Sequence, residues 1–150
     1  MSDNTDISKL DDLIVTTIDS VKGYEHSAEH AAAARYADQF RALAVERKQV
    51  VASLQARSRA LGGTPNDFGS AAATVHRGFE DLRRALGGGD EAIVKEIERG
   101  EDYLKEEFER ALRDDAISPE TRTVIQDNFS IVKRGHDAMS QLKHQLAAAH

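Results

Sequence analysis

Apolar residues recur along this chain at the three-, four- and seven-residue spacing of amphipathic helices, and the recurrence is sharpest between Asp90 and Asp115. There Ile93, Ile97, Leu104, Phe108 and Ala111 share one face, and Glu101 projects from the middle of it, between Ile97 and Leu104. Glu98 and Asp102 stand at the edge of that face, while Lys95, Arg99, Lys105 and Arg110 belong to the solvent side. A carboxylate inside an apolar stripe needs a cation, a metal ion or hydrogen-bond donors, because burying it unpaired costs several kcal/mol even after relaxation.

The same periodicity predicts four further helices. A first helix, capped by Asp6 or Ser8 and running to about Ala33, carries Leu10, Ile14, Thr17, Ile18, Val21, Tyr24 and Ala28 on one face, with Glu25 near the edge. Gly23 inside it predicts close approach of a neighbour. A second helix from about Tyr36 to Leu61 turns Phe40, Leu43, Ala44, Val50, Val51, Leu54 and Leu61 inward, with Arg47 in the middle of the stripe. Gly62-Gly63-Thr64-Pro65 stops it. A shorter helix follows from about Ser70 to Leu86 and ends in Gly87-Gly88-Gly89, after which Asp90 caps the acidic helix. Ser118-Pro119-Glu120 opens the last helix, which faces Val124, Ile125, Asn128, Val132, Gly135, Met139, Leu142 and Leu146 inward.

Four long helices and one short one predict an all-α fold, a four-helix bundle with an additional crossover helix between the second and third bundle helices. At about 1.5 Å per residue, roughly 17 residues span about 25 Å, enough to carry the chain from one end of the bundle to the other. The second helix and the acidic helix then run parallel. The whole chain, 1–150, reads as a single domain with frayed ends over 1–6 and 147–150.

Composition narrows the function classes. No cysteine is present, which removes disulfides, thiolate metal sites and cysteine nucleophiles. The start, MSDNTD, is polar and acidic rather than signal-like, and no apolar run reaches membrane-spanning length, so a cytoplasmic protein is expected, with no membrane partner. The net charge of -6 argues against nucleic acid as a partner. That charge is uneven: residues 1–34 hold two basic and seven acidic side chains, 35–86 nine and five, 87–120 five and twelve, and 121–150 four and two. Segments of opposite sign can pair within a bundle or between molecules.

Parallel second and acidic helices put Arg47 and Glu101 at one level, and reflection through the two turns brings Glu25 and Asn128 near it. The expected polar core layer is Glu25, Arg47, Glu101 and Asn128, held by bidentate hydrogen bonds from the guanidinium. The alternative is a divalent metal, iron or another, held by Glu25, Glu46, Glu98, Glu101 and His136, since di-metal bundles use a lone Glu from two helices and Glu-x-x-His from the other two. Gln49 stands where one such histidine would, and His136 lies about a turn and a half too far along. No phosphate loop, metalloprotease motif or nucleophile elbow is present, so no catalytic residue is assigned.

Asp19-Ser20-Val21-Lys22-Gly23-Tyr24, Leu61-Gly62-Gly63, Gly69-Ser70, His76-Arg77-Gly78-Phe79, Glu98-Arg99-Gly100-Glu101-Asp102 and Gly135-His136-Asp137 occur in this order. Together, from Ile7 to Leu146, they resemble the bacterial family called domain of unknown function 2383, with Phe79 where many relatives have tryptophan. The resemblance implies a ferritin-like four-helix bundle. It implies no activity, because the family is uncharacterised, and an architecture does not carry iron chemistry with it. The expected protein is non-enzymatic, without a cofactor, and acts on a protein partner or as a homo-oligomer; iron or another divalent metal is the rival.

Overall fold

The structure, a computed structural model, describes residues 3–69, 85 and 87–148. Those residues form four helices and no strand: α1 (Asp3–His30), α2 (Ala34–Ala60), α3 (Asp90–Leu112) and α4 (Pro119–Ala148). The short helix expected over about 70–86, with His76 and Phe79, falls outside the described residues except for Ala85. No helix among the described residues is long and apolar enough to cross a membrane.

The helices pack as two hairpins, α1 with α2 and α3 with α4, with α1 also lying against α3 and α2 against α4. Helices α2 and α3 therefore face each other across the diagonal. Their direction follows from the ends. Asp90, the first residue of α3, accepts the backbone N–H groups of Ala32 and Ala33, just before α2, at 2.7 and 3.0 Å. At the other end Arg57 of α2 donates to Thr121 of α4 at 3.0 Å. Helices α2 and α3 start together and run parallel. Gly62, at a φ of 90°, ends α2 in a conformation that favours glycine. Asn66 Oδ1 then accepts the N–H groups of Phe68 and Gly69 and lays this stretch against α1, where Lys22 Nζ donates to the Phe68 carbonyl.

Carboxylates from distant helices cap both interhelical turns. Asp6, 1% exposed, accepts from the Ser118 N–H at 3.0 Å, from the Ser118 hydroxyl, and from Thr121 Oγ1 at 2.8 Å. It lies in the first turns of α1. Asp90, expected to cap its own helix, is instead the first residue after Gly89, which makes no side-chain cap, and its carboxylate serves the start of α2, where Ala33 makes none either.

Two apolar clusters fill the core. One holds Leu10, Leu13, Ile14, Val50, Leu54, Leu104, Phe108, Ile125 and Val132, the other Phe40, Leu43, Ile93, Ile97, Met139 and Leu142. They meet at a single level, and that level is charged.

Candidate functional site

Between the clusters lie Arg47, 0% exposed, and Glu101, 2% exposed. Each occupies a stripe position whose neighbours one turn away are apolar, so helix formation alone drives both side chains inward. Arg47 Nη1 donates to Glu101 Oε1 at 2.7 Å and Nη2 to Oε2 at 2.6 Å, a bidentate pair. Tyr24 of α1 donates its hydroxyl to the same Oε1 at 2.8 Å, and Arg47 Nη1 also donates to Ser20 Oγ at 2.8 Å. The guanidinium carbon stands 5.6 Å from the centre of the Tyr24 ring. On the α4 side Nη2 reaches the Val132 carbonyl at 3.4 Å, and Gly135 makes room: a Cβ there would lie 2.5 Å from Nη2.

The charges follow from this geometry. Burial alone would lower the Arg47 pKa, but the Glu101 carboxylate and its hydrogen bonds outweigh it and keep the guanidinium charged. Burial, together with the Glu101 charge, pushes the Tyr24 phenol well above its ordinary range, so it stays a donor.

The layer differs from the expected one at two positions. Glu25 is exposed and pairs at the surface with Lys48 at 3.1 Å, because one residue of helix turns it about 100° away from its neighbour Tyr24, which supplies the inward polar group. Asn128 is buried but lies a turn away, bonded to Ser53 Oγ and to the Val124 carbonyl, both at 2.9 Å. Tyr24 and Ser20 take the places expected of Glu25 and Asn128. Tyr24 carried no signal beyond its membership of an apolar face, since a tyrosine ring buries as well as a phenylalanine and only its tip is polar.

Nor do the five residues of the metal alternative gather. Glu101 is engaged by Arg47 and Tyr24, Glu25 by Lys48, and Glu46 lies half-buried in a hollow between α2 and α4 with Leu43, Arg134 and Gly135. Glu98 and His136 do meet, with Asp102, at the α3–α4 seam, where one ligand atom of each lies within 4.8 Å of the others. His136 Nε2 is 2.6 Å from Asp102 Oδ1 and its Nδ1 is 3.1 Å from Asp137 Oδ1. Burial lowers the His136 pKa, but the bonds to Asp102 and Asp137 outweigh it and raise it above the ordinary value. Lys143 donates to Glu98 at 3.0 Å.

On the other flank of α3, a groove of about 420 Å³ opens against α1, lined by Thr16, Ser20, Gly23, Ile97, Gly100 and Tyr103, among others, with Tyr24 and Glu101 at its floor. Apart from the adjoining residues and backbone of its own helix, no heavy atom of the described residues lies within 4 Å of a Cβ built at Gly23, where a close neighbour was expected, or at Gly100.

Fold and site together define, among the described residues, an all-helical bundle with a charged layer at its centre. The chain belongs to the family described as domain of unknown function (DUF2383), whose model matches residues 5–114. That match takes in α1 to α3, and with them Tyr24, Arg47 and Glu101, and stops before α4 and His136. No curated protein matches the chain.

Proposed function

We propose that this chain is a ferritin-like bundle of the cytoplasm that acts through protein contacts, without chemistry of its own, and that its partner is a second copy of itself. The ferritin-like reading rests on two antiparallel hairpins with parallel α2 and α3, which call for a crossover connection of the kind expected over residues 70–86. The non-enzymatic reading rests on Glu101. A carboxylate that already accepts two guanidinium bonds and a phenol bond has little left to offer a metal ion or a substrate.

One observation carries the self-association. With the buried pair set aside, α2 bears five basic and two acidic side chains, and α3 bears four basic and eight acidic. These two helices stand across the diagonal, so their outer faces point in opposite directions and cannot neutralise one another within one molecule. Each face also exposes a large apolar side chain, Val45 on α2 at 56% and Tyr103 on α3, beside the groove, at 55%. The basic face of one copy fits the acidic face of the next, with Val45 directed at the groove. Such a contact joins two different patches and can repeat into a ring or a filament.

Light scattering across a protein dilution series, at about 0.1 M and about 1 M salt, tests this, because the screening length falls from about 10 Å to about 3 Å between them. Association at low salt should weaken at high salt and in Val45→Asp and Tyr103→Glu. A monomer at every concentration, or an oligomer indifferent to salt and to both substitutions, would remove the proposal.

A further inference from the structure

We propose that Glu98, Asp102 and His136 form a mononuclear site for a divalent transition-metal ion of the zinc class at the α3–α4 seam, separate from the buried layer. Glu98 and Asp102 are one helical turn apart, so both carboxylates leave α3 on the same side, and His136 meets them from α4. An ion held by bonds of about 2.1 Å in tetrahedral geometry needs donor atoms about 3.4 Å apart. The three donors lie within 4.8 Å of one another, close to that spacing.

The surroundings of the imidazole favour a ligand role. Asp137 lies at Nδ1 while Nε2 faces Asp102, the carboxylate–histidine arrangement that in metal sites sets the tautomer and the ring orientation. One imidazole nitrogen and two carboxylate oxygens are a donor set suited to zinc and its first-row neighbours, and three protein ligands leave a fourth position for water. Glu98 has a side chain only 13% exposed and keeps a cation beside it, at present Lys143, whose own side chain is 39% exposed and free to swing into solvent. A plain ion-pair network and a metal site therefore differ in what Lys143 does: it supports the network, whereas it competes with the ion.

The test is calorimetric titration of zinc into the full chain, made without a histidine tag and freed of metal by chelator, with thermal melts alongside. The expected result is one equivalent per chain and a melting temperature that rises with zinc. Asp137→Ala should weaken binding by about 10- to 100-fold, Asp102→Asn and His136→Ala should weaken it further, and Lys143→Ala should tighten it. Absence of saturable binding would overturn the site, as would binding that persists unchanged in Asp102→Asn and His136→Ala, which would place the ion on surface histidines elsewhere. Weaker binding in Lys143→Ala would equally count against it.

Discussion

Arg47 and Glu101 join helices that stand across the diagonal of the bundle, at the one level where the two halves of its apolar core meet. Neighbouring helices can slide by a turn while still burying apolar side chains. A bidentate bond between diagonal helices has no second register, because a slide of one turn, about 5.4 Å, leaves both charges buried against carbon.

Removing one partner should therefore cost more than removing both. Glu101→Ala leaves a buried guanidinium without its carboxylate and should destabilise by about 3–5 kcal/mol in denaturant unfolding. Glu101→Leu with Arg47→Met should recover much of the loss of the worse single mutant. Losses that simply add in the double mutant would show that the two side chains do not interact.

Tyr24→Phe deletes the hydroxyl that donates to Glu101 while keeping the ring. A hydrogen bond to a charged group contributes about 1.5–3 kcal/mol, and the variant should lose an amount in that range. A change within error would mean that the hydroxyl adds nothing to the pair.

The glycines divide by what surrounds them. Gly135→Ala drives a methyl group against a guanidinium already fixed by several hydrogen bonds and should destabilise by about 1–3 kcal/mol. Gly100→Ala meets only open space among the described residues and, within a helix, should stabilise by about 0.5–1 kcal/mol. Equal effects at the two positions, measured by thermal melts, would contradict the packing described.

Asp6 sets an acid limit. Burial pushes its carboxyl up, but the hydrogen bonds from Ser118 and Thr121 outweigh burial and hold it below its ordinary 3.8. A depressed folded-state value contributes stability above the unfolded-state value and loses it as pH falls through the folded one. Wild type should be more stable than Asp6→Asn at pH 6, and the gap should narrow below about pH 4. A gap independent of pH would remove the carboxylate from the account.

The sequence showed the four described helices and that Arg47 and Glu101 point inward, because both depend only on the period of one helix. It did not show what completes the layer. Position along a hairpin can be reflected only to about one turn, and one turn separates Asn128 from the carbonyl of Val132 that Arg47 reaches. Glu25 and Tyr24 differ by one residue, and the hydroxyl at the end of a long ring did the work expected of a carboxylate. The seam shared by Glu98, Asp102 and His136 depends on how α4 is rotated against α3, which no single-helix pattern encodes.

Asp6 and Asp90 are each lent by one hairpin to the turn of the other. Neither hairpin can finish its own turn alone, and docking completes both turns in the same event. Folding of the two halves is thereby made mutually conditional: a half-assembled chain gains neither clasp, which leaves little stability to partly docked intermediates. A chain cut between the halves should show little order in either fragment until both are mixed.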